Sequence, residues 1–227
     1  MGQLELREKE IFDTLKQLRN CEFVIIGGYA VNAYTLPRFS VDCDIVVRDK
    51  HEGDKIGEIL WRLNYTKTKL PEKFVYDGNF MRFEKDIGNN LKVNFDILIG
   101  EVLDRQTNAT FSFSWVFDNS EIKRLKGKTI IEELKLRVIN VNALFVLKFT
   151  SCRLTDIRDI FMLAPYTDVV WAKAEISKRY DLNKLFSKVK EKIISKQFRD
   201  GLQGVYGFVD ERVFEKHQKA LLKIGRV

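Results

Sequence analysis

Apolar residues at helical or alternating spacing divide the first part of the chain into an opening helix and several strands. Residues 5–19 carry Leu and Ile at helical spacing, which predicts an amphipathic helix. Residues 22–26 form a short apolar run that ends at Gly27-Gly28, and residues 39–48 alternate before becoming continuously apolar. We interpret both runs as strands, the second one central to a sheet. Further elements are predicted as a helix-compatible stretch up to Pro37, a helix over 51–63, strands around 73–76 and 79–84 joined by Asp77-Gly78, a strand over 91–99, and short strands within 110–117 and 121–139 around a turn at Lys126-Gly127-Lys128.

The pattern changes near Val138, where strands give way to helices. Asn142 is interpreted as the N-cap of one long helix that ends before Pro165. The predicted fold class is α+β, with a mixed-sheet domain in residues 1–139 and a helical domain in residues 140–227 that completes a cleft. Later helices are expected around 168–179, 181–199 and 210–223, with breaks at Gly201, Gly204 and Gly207.

Composition is typical of a folded protein and argues against several classes. Of the 227 residues, 45% are hydrophobic and 12% aromatic, and no apolar run approaches the roughly 20 residues that a membrane span needs. Cys21, Cys43 and Cys152 are odd in number and widely spaced, which favours neither a disulfide framework nor a zinc site. The charged N-terminal segment is unlike a secretory signal, so we expect a cytoplasmic protein with no membrane partner.

The excess of positive charge lies in the last third of the sequence. The formal net charge is +7, and residues 160–227 carry 14 basic and 8 acidic side chains, a net of +6. A basic segment attracts polyanions such as RNA. A lysine-rich helix surface without such a partner is at least as common, so charge alone leaves both alternatives open.

Three carboxylates occupy predicted strands. Asp42 and Asp44 are two residues apart on one strand and therefore point to the same face, while Asp96 interrupts the apolar run of a later strand. Close carboxylates repel one another unless a cation lies between them, and hard oxygen ligands suit Mg²⁺ or Mn²⁺. If the two strands are neighbours, the three carboxylates could hold two metal ions for an in-line phosphoryl displacement. For the Asp42–Asp44 pair alone, a solvated edge strand is the alternative.

A glycine pair and an arginine precede these carboxylates. Gly27-Gly28 lies between a predicted strand and a predicted helix, where backbone N–H groups can approach a triphosphate. Arg38 lies four residues before Asp42 and could clamp a phosphate with its planar guanidinium. Each feature is common by itself, and only their order along the chain is specific.

In that order, the features resemble the signature of the DNA-polymerase-β-like nucleotidyltransferase superfamily. The resemblance is carried by the stretch IIGGYAVNAYTLPRFSVDCDIVV, which has a Gly-Gly turn, a spacer and an Asp-x-Asp strand. Its Arg-x-Ser-x-Asp-x-Asp form, which includes Ser40, is most similar to the AbiEii-type toxins and related small prokaryotic nucleotidyltransferases. The resemblance covers residues 20–100 strongly and the remainder loosely.

The resemblance implies a polymerase-β-like palm and a role for each residue of the motif. Asp42 and Asp44 would be the metal ligands, and Asp96 the third catalytic carboxylate near the attacking hydroxyl. The nucleotide phosphates would lie at Gly27-Gly28. Gly28 stands where many members of the superfamily carry a serine that contacts phosphate.

A second charged cluster is expected on the long helix. At 100° per residue, Lys148, Asp156 and Asp159 fall on one face, with Arg153 beside them. This run resembles the Lys…Arg…Asp-x-x-Asp helix of AbiEii-like proteins, which implies that Lys148 binds the nucleotide and neutralises phosphate charge. The alternative is a helix surface on which Arg153 and Arg158 pair with the two aspartates.

These observations lead to one principal functional hypothesis, with alternatives. The principal one is a metal-dependent nucleotidyltransferase that moves an NMP from an NTP to an acceptor hydroxyl. The acceptor could be RNA, particularly a tRNA end docked on the basic C-terminal half, or a protein or a small molecule, and a cognate antitoxin is a further expected partner. Alternatives are a catalytically silent NTP-binding module and a non-enzymatic RNA binder. Arg212 and His217 have the spacing of a HEPN-type ribonuclease, but lie on an ordinary basic amphipathic helix.

Overall fold

The structure, a computed structural model, describes residues 2–68, 79–207 and 209–225. The strand expected around 73–76 and its turn at Asp77-Gly78 lie outside the described residues. The chain divides into two compact units. The first consists of Met1–Ala33, Pro37–Val102 and Phe111–Ile139, and the second of Tyr34–Leu36, Leu103–Thr110 and Asn140–Val227.

Seven strands form one mixed sheet in the first unit, and two further strands form a separate ribbon. The mixed sheet followed by helices is the fold class that the sequence predicts, which is thereby confirmed. In chain order the strands are β1 (Val24–Ile25), β2 (Asp42–Val47), β3 (Thr66–Lys67), β4 (Phe80–Asp86), β5 (Lys92–Ile99), β6 (Glu101–Leu103), β7 (Thr110–Ser112), β8 (Ser120–Leu125) and β9 (Leu134–Ile139).

Helices occur in both units, and they make up most of the second. No helix among the described residues is long and apolar enough to cross a bilayer. In the first unit they are α1 (Gln3–Gln17), α2 (Gly27–Asn32), α3 (Lys50–Arg62) and α4 (Phe113–Asp118), and in the second α5 (Val141–Ser151), α6 (Leu154–Leu163), α7 (Val169–Ser177), α8 (Leu182–Ile193), α9 (Lys196–Tyr206) and α10 (Glu211–Leu222).

The centre of the sheet is apolar on one face. The strand order is β3-β4-β5-β2-β1-β9-β8, with β2 parallel to β5 and β4 antiparallel to β5. Because side chains alternate along a strand, Cys43 of β2 and Phe95 of β5 share a face on which both are fully buried. Gly53 and Gly57 of α3 allow the helix to pack closely on this face, since a Cβ there would lie 2.7 Å from Met81 Cε and 2.8 Å from Phe83 Cζ.

Three boundaries differ from the sequence-based expectations in the helical half. The single helix expected from Asn142 to Pro165 is two helices, because Cys152 adopts a left-handed conformation with φ 46° and ends α5. The N-cap of α5 is Asn140, whose side chain accepts a hydrogen bond from Ala143 N. The helix expected over 181–199 ends at Ile193, and Ser195 caps a new helix.

Two local expectations were wrong because tertiary packing overrode local preference. Of the strand predicted over 110–117, only Thr110–Ser112 is a strand, because Phe113–Asp118 is a helix that Ser112 caps and whose Phe113 and Val116 side chains are buried. Gly201 and Gly204 were expected to break a helix and instead lie inside α9. Of the three glycines expected as breaks, Gly207, with φ 84°, is the one that ends it.

A buried carboxylate joins α1 to the loop between β8 and β9. The Glu8 side chain accepts hydrogen bonds from the backbone N–H groups of Lys128 at 2.6 Å, Thr129 at 2.7 Å and Ile130 at 3.3 Å. The Thr129 hydroxyl donates another at 2.7 Å. Sequence patterns place Glu8 on the opening helix but do not show this long-range contact, which orders the loop that leads into β9.

We expect Glu8→Gln to lower the free energy of unfolding by about 2 kcal/mol, because the Gln amide turns a donor towards backbone N–H groups that need an acceptor. Chemical denaturation measures the change. The control is Glu58→Gln on the exposed surface of α3, which should stay within about 0.5 kcal/mol of the wild type. Equal stability of the two variants would contradict the role assigned to Glu8.

Candidate active site

The three predicted carboxylates lie on the face of the sheet opposite the apolar one. β2 and β5 are adjacent and parallel, and their register pairs Asp44 with Asp96 and Asp42 with Asn94. Paired residues in a sheet point to the same side, so both pairs share one face. The condition set by the sequence, that the two strands be neighbours, is met.

Arg82 is a residue of this face that the sequence reasoning missed. It lies on β4, directly across from Asp96. Its Nε donates to Asp96 Oδ1 at 2.7 Å and its Nη2 donates to Asp96 Oδ2 at 2.6 Å, a two-point ion pair. The pKa of Arg82 lies above its ordinary value, first because of the hydrogen bonds to Asp96, with the charges of Asp96, Asp42 and Asp44 contributing further.

Asn94 is a second residue that the sequence reasoning missed. Its Nδ2 donates to Asp42 Oδ1 at 2.8 Å, so it orients the first carboxylate of the Asp-x-Asp pair. The buried Asn94 Oδ1 atom has no hydrogen-bond partner among the described residues. Spacing in the sequence could have identified Asn94, because Asn94 and Asp96 repeat on β5 the two-residue interval of Asp42 and Asp44 on β2.

Gly27 allows the chain to turn close to Asp44. Its φ is +68°, a left-handed conformation that favours glycine, and a Cβ at this position would lie 1.9 Å from Asp44 Oδ2. Both the backbone conformation and the space therefore require glycine. The turn brings the start of α2 against the carboxylate face, as the motif implied.

Ser40 occupies the space beside Gly28. A Cβ on Gly28 would lie 2.3 Å from Ser40 Oγ and 3.4 Å from Arg38 Nη2, so both side chains lie next to the glycine turn. Asn32 holds the intervening loop, since its Nδ2 donates to Arg38 O at 2.7 Å and its Oδ1 accepts from Arg38 N at 3.0 Å. The Tyr29 hydroxyl donates to Ser40 O at 3.3 Å. The fold thus brings Ser40, Arg38 and Gly28 together.

The donor chemistry of the carboxylate face fits a divalent cation, but the observed side-chain arrangement is not a ready three-ligand cage. Within residues 2–68, 79–207 and 209–225, no group of three or more His, Cys, Asp or Glu side chains is disposed to hold a metal ion. Asp96 directs both of its oxygens to Arg82. Three carboxylates on one face supply the hard oxygens that Mg²⁺ prefers, provided that Asp96 can exchange its partner.

Cys43 lies between the two aspartates in sequence but on the other face of β2. Burial raises the pKa of the Cys43 thiol well above its ordinary value, and the charges of Asp44, Asp96 and Asp42 raise it further. The thiol is therefore neutral at physiological pH. A neutral, fully buried thiol is neither a metal ligand nor a nucleophile in this arrangement.

The charged cluster predicted in the helical half is present in the second unit, but by a different route. Lys148 Nζ lies 2.8 Å from Asp156 Oδ1 and 3.0 Å from Asp159 Oδ2. One continuous helix was expected to align these residues. In the structure Lys148 lies on α5, and both of its ion-pair partners lie on α6, after the break at Cys152. Burial by itself lowers the pKa of Lys148, but Asp159 and Asp156 outweigh burial and raise it, so the ammonium is charged.

Arg153 lies at the break, as the N-cap residue of α6. Its Nη2 is 3.7 Å from Asp104 Oδ2 and its Nε is 3.8 Å from Asp156 Oδ2. The side chain of Arg153 is 57% exposed, whereas that of Lys148 is 15% exposed. Asp156 therefore contacts both basic residues, and of the four predicted positions Arg153 is the most accessible.

His217, half of the ribonuclease-like pair, belongs to the core of the second unit. Its Nδ1 donates to Phe161 O at 3.0 Å, and its ring stacks on Phe161 with centroids 5.6 Å apart. Burial lowers the pKa of His217 below its ordinary value. His217 is 5% exposed and held in this way, so it has a packing role. Arg212, the other residue of the pair, is exposed.

Comparisons with known proteins identify the fold. No protein-family model matches the sequence, and a search of curated proteins found no match. Among solved structures, JHP933 from Helicobacter pylori is 16% identical, with a TM-score of 0.52 over 99% of this chain and 92% of that one. The antibiotic-resistance factor ANT(2″)-Ia, solved with adenylyl-2″-tobramycin, is 14% identical, with a TM-score of 0.52 over 75% of this chain and 95% of that one. The chain shares the fold of these proteins.

Restoring a serine at position 28 tests the packing of the glycine turn. We expect Gly28→Ser alone to cost about 1–3 kcal/mol of unfolding free energy, because its Cβ overlaps the Ser40 side chain. Combining it with Ser40→Gly removes the overlap and should recover most of that loss. A double-mutant cycle by chemical denaturation measures the coupling, and strictly additive costs would rule out the contact.

The ion pairs of Lys148 predict a large stability effect in the second unit. Lys148→Met removes the buried ammonium that pairs with both Asp156 and Asp159 and should cost about 3–5 kcal/mol of unfolding free energy. Lys190→Met, on the exposed surface of α8, is the matched control and should change little. If Lys148→Met were as stable as this control, the cluster would not contribute to the fold.

Proposed function

We propose that the protein is a Mg²⁺-dependent nucleotidyltransferase of the polymerase-β-like superfamily, which transfers an NMP from an NTP to an acceptor hydroxyl. The observation that carries the proposal is the pairing of Asp44 with Asp96 across parallel strands, with Asp42 on the same face and Gly27 beside it. The shared fold with ANT(2″)-Ia, whose structure contains adenylyl-2″-tobramycin, supports it. The finer AbiEii-type assignment, with its cognate antitoxin, finds no match in the comparisons and remains a prediction.

The reaction assigns a task to each residue of the carboxylate face. The acceptor oxygen attacks the α-phosphorus, the bond to the bridging oxygen of pyrophosphate breaks, and the hydroxyl proton passes to the Asp96 carboxylate. Asp42 and Asp44, with Asp96, would hold Mg²⁺, which when bound neutralises phosphate charge and polarises the α-phosphoryl group. Asp96 would also lie nearest the hydroxyl and favour loss of its proton.

The glycine turn would hold the triphosphate. Backbone N–H groups of Gly27 and Gly28 can approach an anion closely because no side chain intervenes. Arg38 and Ser40 lie beside Gly28 and add a guanidinium and a hydroxyl. In this chain the Ser40 hydroxyl would therefore perform the task that a serine at position 28 performs in many relatives.

The nucleotide contacts that the sequence predicts for Lys148, Arg153, Asp156 and Asp159 concern residues of the second unit. Of these, Arg153 is best suited to contact a phosphate, because its guanidinium is exposed and only loosely paired. Lys148 already serves two carboxylates, so its contribution would be to fix Asp156 and Asp159.

RNA is the acceptor that we propose. Lys184, Lys188 and Lys190 are exposed on α8, in the segment that carries most of the net positive charge. Exposed lysines on a helix attract a phosphate backbone and bind it in a salt-dependent manner. A protein or a small molecule as acceptor would not need this surface.

The test of the proposed function is pyrophosphate release from each of the four NTPs with Mg²⁺ and total cell RNA. We expect release with the wild type, and a loss of at least about 100-fold in Asp44→Asn and Asp96→Asn, since even changes outside the ligand shell of a metal cost 10–100-fold. Asp54→Asn, exposed on α3, is the control for a lost carboxylate and should retain activity.

Labelling and binding assays separate the alternative acceptors and the alternative functions. Labelled NTP in a cell extract shows whether label enters RNA, protein or small molecules, and label outside RNA would overturn the proposed acceptor. NTP binding without pyrophosphate release would identify a silent binding module. RNA binding that depends steeply on salt and survives Asp42→Ala, without any transfer, would identify an RNA binder.

A further inference from the structure

The two-point ion pair between Arg82 and Asp96 has a consequence for cation binding. We propose that Arg82 is the internal counter-ion of the carboxylate face, and that a divalent cation must displace it from Asp96 in order to bind. Arg82 would thereby set the affinity of the site for its metal. This inference rests on the proposed function, in which the three carboxylates hold Mg²⁺, and it makes Arg82 a positioning residue.

The geometry shows that Arg82 occupies both oxygens of Asp96. Each oxygen accepts one N–H of the guanidinium, at 2.7 Å and 2.6 Å. A fork of this kind lies in the plane of the carboxylate and uses both of its oxygens as hydrogen-bond acceptors. Asp96 cannot keep both of these hydrogen bonds and also turn its oxygens towards a shared cation.

The surroundings of Arg82 hold its backbone and leave its guanidinium room to move. Its carbonyl oxygen accepts hydrogen bonds from Thr68 N at 2.9 Å and from Thr68 Oγ1 at 3.1 Å, which fixes the strand. The Arg82 side chain is 38% exposed, whereas the Asp96 side chain is 9% exposed. Its guanidinium carbon lies 5.9 Å from the centre of the Phe80 ring, so an aromatic surface borders it.

Charge provides the second part of the argument. The guanidinium interacts electrostatically with Asp42 and Asp44 as well as with Asp96, so its positive charge acts on all three carboxylates. A divalent cation bound by the same carboxylates would repel it strongly at this short distance. Removing the positive charge of Arg82 should therefore strengthen cation binding, whereas a residue that merely orients Asp96 as a ligand would weaken binding when removed.

The test is a titration of Mn²⁺ into chelator-treated full-length protein, with free Mn²⁺ measured by electron paramagnetic resonance and no nucleotide present. We expect Arg82→Gln to bind Mn²⁺ about tenfold more tightly than the wild type, because the competing charge is gone. Arg82→Lys keeps the charge and loses the fork, so it should bind about threefold more tightly. Arg124→Gln, a change of the same charge on β8, is the control and should match the wild type.

A stability measurement distinguishes this role from a merely structural one. Without metal, Arg82→Gln should melt about 3–6 °C below the wild type, because three carboxylates lose their counter-ion. Saturating Mn²⁺ should narrow that gap, since tighter binding stabilises the variant more. A gap that Mn²⁺ leaves unchanged would overturn the proposal.

The titration itself gives the other decisive outcomes. Equal or weaker Mn²⁺ binding in Arg82→Gln would overturn the proposal, and if that variant does not fold, equal or weaker binding in Arg82→Lys would do so. Because no NTP is used, these outcomes do not depend on turnover. If the wild type releases no pyrophosphate but Arg82→Gln still binds Mn²⁺ more tightly than the wild type, the proposed nucleotidyltransferase activity is refuted. The proposed role of Arg82 in cation binding then still holds.

Discussion

The parallel pairing of β2 with β5 is the constraint on which the site depends. Strand alternation separates an apolar set of side chains on each strand from the set that carries the carboxylates, and the register aligns the two strands set by set. Asp44 then lies beside Asp96, while Cys43 and Phe95 are buried on the other side. A shift of one residue in this register would bury the carboxylates and expose the apolar side chains, so the core and the site are fixed together.

Both units place acidic side chains against a basic one. On the sheet, Arg82 holds Asp96, and in the helical unit Lys148 holds Asp156 and Asp159. Burying a carboxylate is costly unless its charge is matched, so each pair compensates within its own unit. The two basic side chains differ in accessibility, because Arg82 is 38% exposed whereas Lys148 is 15% exposed.

The glycine turn shows how sequence and packing share the definition of a site. The glycine pair between a strand and a helix was predicted from the sequence, whereas the left-handed conformation of Gly27 and its close approach to Asp44 come from the structure. The space beside Gly28 could not be anticipated either, because Ser40 fills it only once the loop held by Asn32 returns to the start of α2. Ser40 thus fills the space beside Gly28, which the motif alone does not show.

Local pattern was sufficient for the strands of Asp42 and Asp96, the glycine turn and the change to helices after β9, since alternation and helical spacing are properties of short segments. Cross-strand partners were decided only by the tertiary structure. Arg82 and Asn94 gain their contacts from strand register. The helix that carries Lys148 ends before Asp156, because Cys152 adopts a left-handed conformation. These features depend on contacts between residues distant in the chain, where the free energy of packing outweighs local preference.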